Sequence, residues 1–215
     1  MAESLTNHSS FSTKSLDEIL QQNHDAGWIL PPPDPRQIVH TRSIVCRSFL
    51  RDDGLIDIEG RFMDTRPFEY HSEWRGLTAA GEALHHMQLR VTLDGSRHIV
   101  ALTSAMPNTP YVGCDEVNLN FQRLVGLSIG RGFRKALLER LGGAEGCTHV
   151  LGLLTAMSAA AVQSFTSSFY APRRPGTPAR VRVFNLDAMV DSCYSYRKEG
   201  PLVREMKADE LSRKA

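Results

Sequence analysis

Gly146, Cys147, Thr148 and His149 bring a thiol, a hydroxyl and an imidazole together where a long apolar helix is predicted to begin. Gly146 is a permissive residue ahead of that helix. The first-turn amides and the positive end of the helix dipole favour a thiolate, phenolate or alkoxide nearby. A structural reading competes, with Cys147 as a small buried hydrophobe and Thr148 as a helix cap. His149 is the preferred general base because of the company it keeps, although a buried imidazole bonded to backbone is the alternative. His85, His40, Asp57 and Glu59 are the other candidate bases, and Arg42, Arg90 and Tyr111 have the donors to orient an oxyanion or carboxylate.

Each of these residues also has a plainer role. Asp57 and Glu59 fit a solvated strand face paired with Arg61, and Arg42 and Arg90 could cross-pair with such carboxylates. His85 shares the parity of Met87 and Leu89 and therefore points inward, either to a pocket or as a satisfied core residue. Cys114, Cys147, His149 and Cys193 have the identities of a tetrahedral zinc set. Their spacing lacks close ligand pairs, and on a helix Cys147 and His149 would diverge by about 200°. No metal is assigned on this basis, and a Cys147 nucleophile with His149 as its base shares the weakness. Gly130 and Gly132 lack the strand, spacing and acidic partner of a dinucleotide fingerprint, and no Walker lysine follows a phosphate loop, so no cofactor is expected. Arg173, Arg174, Arg180 and Arg182 fit a solvated loop or a receiver for a substrate carboxylate.

The elements that must position these groups read as an α+β domain, with antiparallel hairpins packed against helices. Ile38–Phe49 and Leu55–Met63 flank the turn formers Arg51 to Gly54 and predict a β-hairpin. In its second strand Ile56, Ile58 and Phe62 share one face, and Asp57, Glu59 and Arg61 the other. A second hairpin runs from Met87 to Leu93, turns at Asp94 to Ser96, and returns over His98–Thr103. Apolar residues from Phe121 to Ile129 precede a Gly-broken helix that ends near Leu141, stopped by Gly142 and Gly143. The long core helix is expected over 147–169, carried by Val150, Leu153, Leu154, Met157, Ala161 and Phe165. Residues 1–35 read as an arm with a short helix at Ser15–Asn23 and a proline spacer, 36–205 as the domain, and 206–215 as a charged tail. Between domain and tail, Ala171–Pro178 reads as a loop and Arg180–Phe184 as a short strand.

The 215 residues suit one domain with room for a pocket. Charge is nearly balanced, with 25 Lys+Arg against 24 Asp+Glu, so the field that draws proteins to nucleic acid or anionic membrane is missing. No apolar run is judged long enough to span a bilayer, and the polar start does not read as a secretory signal. A cytoplasmic location with four free thiols is expected, acting on a small molecule, with no nucleic-acid or membrane partner and self-association left open.

Several ordered stretches resemble the bacterial family of domain of unknown function 2889. They are His40 to Arg42, Arg51 to Gly60, Asp64 Thr65, Gly81 Glu82 with His85 to Arg90, Pro110 Tyr111 with Cys114, Gly146 to His149 with Gln163, and Cys193 Tyr194 before Gly200 Pro201. The likeness covers about residues 36 to 205. It departs at His86, where an acid is expected, and at Val150, where Leu is usual. The resemblance implies Proteobacterial catabolism of lignin-derived aromatics, in particular a likeness to phenylcoumaran γ-formaldehyde lyases, which turn a phenolic biaryl into a stilbene and formaldehyde without a redox cofactor. On that reading His149, Glu59, Asp57, His85, Cys147 and Thr148 are the catalytic candidates. His40, Arg42, Arg90, Tyr111 and Gln163 are the substrate-binding ones. A zinc or thiol enzyme, or a ligand-binding protein without catalysis, remains the alternative.

Overall fold

The structure, a computed structural model, describes residues 30–31, 33–168 and 186–212. The chain divides into a larger unit ending at Pro178 and a smaller one from Ala179 onward. Four strands of the larger unit form one antiparallel sheet in the order β1-β2-β5-β6, comprising β1 (Thr41–Leu50), β2 (Ile56–Thr65), β5 (Ala83–Leu93) and β6 (Ile99–Asn108). Both expected hairpins are present, and the antiparallel sheet with helices is an α+β fold. Between β1 and β2 the Asp53 carboxylate accepts the Leu55 amide at 3.1 Å, and Gly54 takes a φ of 83°. That left-handed conformation is easiest for glycine and fixes the hairpin register.

Alternation decides which side of the sheet each residue faces. Along β2, Ile56, Ile58, Gly60, Phe62 and Asp64 are buried, while the odd-numbered residues are only half covered. Met87, Leu89, Val91 and Leu93 continue the inner face on β5. Helix α1 (Phe133–Leu141) and helix α2 (Thr148–Ser167) follow β6, and α2 lies across β1 and β2. Gly60 permits this close approach, because a Cβ there would sit 2.5 Å from Met157 Sδ and 2.9 Å from Leu153 Cδ1. Val150, Leu153, Leu154, Met157 and Ala161 form the buried stripe of α2. Each large apolar side chain so buried contributes about 1.5–3 kcal/mol.

Helix α2, 20 residues long, is enough by length and composition to cross a membrane, contrary to expectation. Its pattern is nevertheless that of a helix laid on a sheet, with Thr148, Gly152, Thr155, Ala159 and Gln163 exposed opposite the buried stripe. The Gly-broken helix is shorter than its apolar pattern. Glu116–Leu124 winds as a 3-10 helix against β6, Gly126 turns with φ 87°, and Leu127 to Ile129 pair with Arg97 and Ile99 before α1 begins. A hairpin the sequence did not announce, β3 (Tyr70–Ser72) with β4 (Gly76–Thr78), is tied to the start of β5 by Arg75, whose guanidinium donates to the carbonyls of Ala83 and Leu84.

In the smaller unit, helix α3 (Leu186–Met189) is followed by helix α4 (Pro201–Ser212), which replaces most of the expected charged tail. Pro201 suits a first helical position, and Arg204, Glu205, Met206, Lys207, Ala208 and Leu211 are strong helix formers whatever their charge. The expected helix at Ser15–Asn23, loop at Ala171–Pro178, strand at Arg180–Phe184 and the arginines around them lie outside the described residues.

Candidate functional site

Strand register builds the site. Asp64 near the end of β2 stands opposite Arg42 on β1 and His85 on β5, so one inward-facing row reads Arg42, Asp64, His85. The Arg42 guanidinium grips the carboxylate with both arms, Nε to Oδ1 at 2.8 Å and Nη2 to Oδ2 at 2.9 Å. His40, just before β1, places Nε2 3.1 Å from Oδ1. The His85 Nδ1 lies 3.0 Å from Oδ2, yet that buried nitrogen has no hydrogen bond of acceptable direction. We read the contact as an electrostatic approach rather than an aligned hydrogen bond, since direction governs hydrogen-bond strength. Above the row, the first turn of α2 brings the His149 ring to 4.0 Å from that of His85, tilted by 38°. Phe62 forms the apolar floor, 5.3 Å from the His149 ring, and Arg42 stacks over it at 4.6 Å.

Burial and charge then set protonation. Asp64 is 1 % exposed, and burial alone would resist its ionisation. The Arg42 hydrogen bonds and charge overcome that penalty and hold its pKa below the ordinary carboxyl range. The cover is thin, since half-exposed Arg42 and His40 form the roof. His85 is lowered by burial first and then by the charge of His149, with Asp64 opposing. His149 is lowered by burial and then by Arg42. The result is one ionised carboxylate beside two imidazoles biased towards neutrality, each with a lone pair for a proton or a cation. Asp64, His85 and His149 each offer a donor atom within 4.8 Å of the others, the one such group among the described residues.

The family model described as "Protein of unknown function (DUF2889)" matches residues 40–163, more than half of the chain. The chain belongs to this family. The DUF2889 match runs from His40 to Gln163 and so contains every member of the cluster, while the stretches at Cys193 and Gly200 lie beyond it. No curated protein and no solved structure matches the chain.

Within this DUF2889 chain, the structure gathers His40, Arg42, His85, Cys147 and His149 from the predicted set and separates the rest. Asp57 and Glu59 face away from the cluster. Glu59 accepts from Arg90 at 2.6 and 2.8 Å, and Asp57 accepts from the Thr92 hydroxyl at 2.7 Å. Arg90 is therefore also on the outer face. Odd and even positions of a strand point oppositely, which makes these assignments incompatible with a site built on Asp64. An open concavity of about 360 Å³ crosses that outer face, lined by Arg47, Glu59, Arg61 and Arg90 among others. We place the chemistry at the inner row nonetheless, because the Glu59–Arg90 pair is solvated and its charges are screened.

Gln163 is exposed on α2, four turns along the axis from His149, about 20 Å away by helical rise. Tyr111 is exposed and packs edge-on against Trp74 at 6.5 Å. Thr148 is exposed in the first turn of α2, and the cap position belongs to Cys147, whose side chain makes no capping bond. Cys147 has extended backbone angles (φ −121°, ψ 128°), so the helical divergence expected between it and His149 does not apply. Its Sγ lies 3.7 Å from His149 Nδ1. The cysteine-based zinc set is not assembled among the described residues, where the metal-competent donors are Asp64, His85 and His149. Asp64 was the residue missed. The signal was legible, because it continues the even-numbered apolar face of β2 and places an acid where only apolar residues precede it.

Proposed function

We propose that the chain is a small-molecule enzyme that moves protons at the Asp64–His85–His149 cluster, with a phenolic biaryl of the phenylcoumaran class as its substrate. The observation that carries the reading is the pair of closely set imidazoles, 4.0 Å between ring centroids, beside a buried carboxylate that Arg42 keeps ionised. In such a reaction the substrate phenolate pushes open the dihydrofuran ring to a quinone methide. A base removes the hydroxymethyl proton, the C–C bond breaks to release formaldehyde, and its electron pair forms the stilbene double bond. His149 is the base in this scheme, in the tautomer whose Nδ1–H donates to Cys147 Sγ and whose Nε2 lone pair is free. The exposed part of Arg42, the first-turn amides of α2 and His40 supply positive potential for the phenolate, and Phe62 supplies an aromatic wall. Asp64 holds Arg42 and His40 in place. The four cysteines are free, which fits a reducing cytoplasm.

The test is direct. Purified protein incubated with a phenylcoumaran is expected to release formaldehyde and stilbene in equal amounts, with loss of both in His149→Ala. A folded protein that releases neither removes the proposed substrate and reaction.

A further inference from the structure

We propose that Asp64, His85 and His149 form a binding site for one divalent transition-metal ion of the zinc type. The donors come from three elements, β2, β5 and α2, and lie within 4.8 Å of one another. The separation of Asp64 Oδ2 and His85 Nδ1 carries the argument furthest. They are 3.0 Å apart without an aligned hydrogen bond, although Nδ1 is buried and has no hydrogen-bond partner among the described residues. Two ligands about 2.1 Å from a common tetrahedral ion would be separated by about 3.4 Å, so a shift of a few tenths of an ångström would bring the pair to the spacing of neighbouring ligands. The two atoms approach closely while their contact is poorly aligned, and a cation at that corner would satisfy both of them.

Two of the three donors, Asp64 and His149, also have an orienting contact of the kind that metal ligands use. Asp64 Oδ1 is held by Arg42 Nε at 2.8 Å and His40 Nε2 at 3.1 Å, which leaves Oδ2 to the ion. His149 Nδ1 meets Cys147 Sγ at 3.7 Å, which leaves Nε2. Arg42 Nη2 also donates to Oδ2, at 2.9 Å, and its charge opposes a cation. Binding therefore loosens that second arm, and the remaining coordination position favours an anionic oxygen. The ion and proton transfer would use the same His149 Nε2 lone pair, so the metal-loaded and the proton-transferring forms are alternatives, and for this part alone the inference rests on the reading above. Two imidazoles and a single carboxylate suit zinc and its neighbours, and are too poor in oxygen for calcium or magnesium.

The experiment is a titration of the full chain, stripped with chelator and dialysed, with Zn²⁺ in competition with a chromogenic chelator, and with Mg²⁺ as the comparison. The expected result is one equivalent of Zn²⁺ and no Mg²⁺ at the same concentration. Affinity should fall at least about 100-fold in His85→Ala and in His149→Ala, beyond the usual effect of losing an outer partner. Circular dichroism establishes that the variants are folded, and Zn²⁺ should raise the melting temperature of the parent but not of His149→Ala. Joint replacement of Cys114 and Cys193 by Ala should leave binding intact. Folded protein that takes up no stoichiometric Zn²⁺, or binding indifferent to both histidine substitutions, overturns the site. Turnover by chelated protein that Zn²⁺ loading suppresses supports the shared lone pair, and turnover indifferent to bound Zn²⁺ overturns it. Stoichiometric Zn²⁺ binding with no turnover in either form supports the ion and removes the substrate reading.

Discussion

Glu59 and Asp64 lie on the same strand, each facing an arginine on a neighbouring strand, and they differ in nearly everything that matters for chemistry. Glu59 meets Arg90 on the open face, where both side chains are solvated. Asp64 meets Arg42 on the inner face, itself buried under a thin cover and flanked by His40 and His85. An exposed ion pair is worth roughly 0–1 kcal/mol. The inner pair shifts the protonation of its neighbours, because the buried carboxylate and the histidines beside it are less well solvated. Five positions along one strand thus separate a solvated pair from a buried cluster, and the odd spacing alone assigns them to opposite faces.

Substitutions on the two faces should separate widely. Asp64→Ala is expected to destabilise the protein by about 2–3 kcal/mol in urea unfolding, below the range for fully buried pairs because Arg42 can turn to water. Equal midpoints for Asp64→Ala and Glu59→Gln would erase the distinction between the faces. His149→Ala should lower formaldehyde release by about 100-fold or more while thermal stability changes little, as removal of a general base does. Gly60→Ala, on the inner face but remote from the cluster, should cost about 1–2 kcal/mol by pushing Met157 and Leu153 off the sheet, which chemical denaturation would register.

Acid should act mainly through the inner face. His85 and His149 have lowered pKa values when folded, so the unfolded chain binds more protons as pH falls below the ordinary imidazole value of about 6.5. Stability in chelator-containing buffer should therefore decline from pH 7.5 to 5.5, with a shallower decline in His149→Ala. Asp64, also lowered, adds a further loss as pH drops below about 3.9 towards its folded value. The smallest effect belongs to Glu59→Gln, expected to stay within about 0.5 kcal/mol of the parent in stability and within twofold in turnover.

Much of this arrangement was legible in the chain. Alternation along 56–63 and 87–93 fixed both hairpins and their inner faces, because a half-buried strand must repeat every two residues. The apolar spacing from Val150 to Ala161 fixed the long helix and put His149 in its first turn. His85 was readable as an inward imidazole from parity alone. The β3–β4 hairpin was hidden because strands of three residues carry too little pattern, and α4 because a charged composition masks helical propensity.

What sequence determined by itself is the period of each element and therefore which side chains share a face. Only the tertiary structure decided that β1, β2 and β5 align Arg42, Asp64 and His85 in one row, and that α2 crosses them with its first turn above it. Cross-strand register and helix placement join residues far apart in the chain, through contacts such as Gly60 against Met157, and no local pattern records that pairing. For the same reason Cys147 was misjudged against His149: its backbone leaves helical geometry one residue before the helix begins, and that step brings the thiol back to the imidazole.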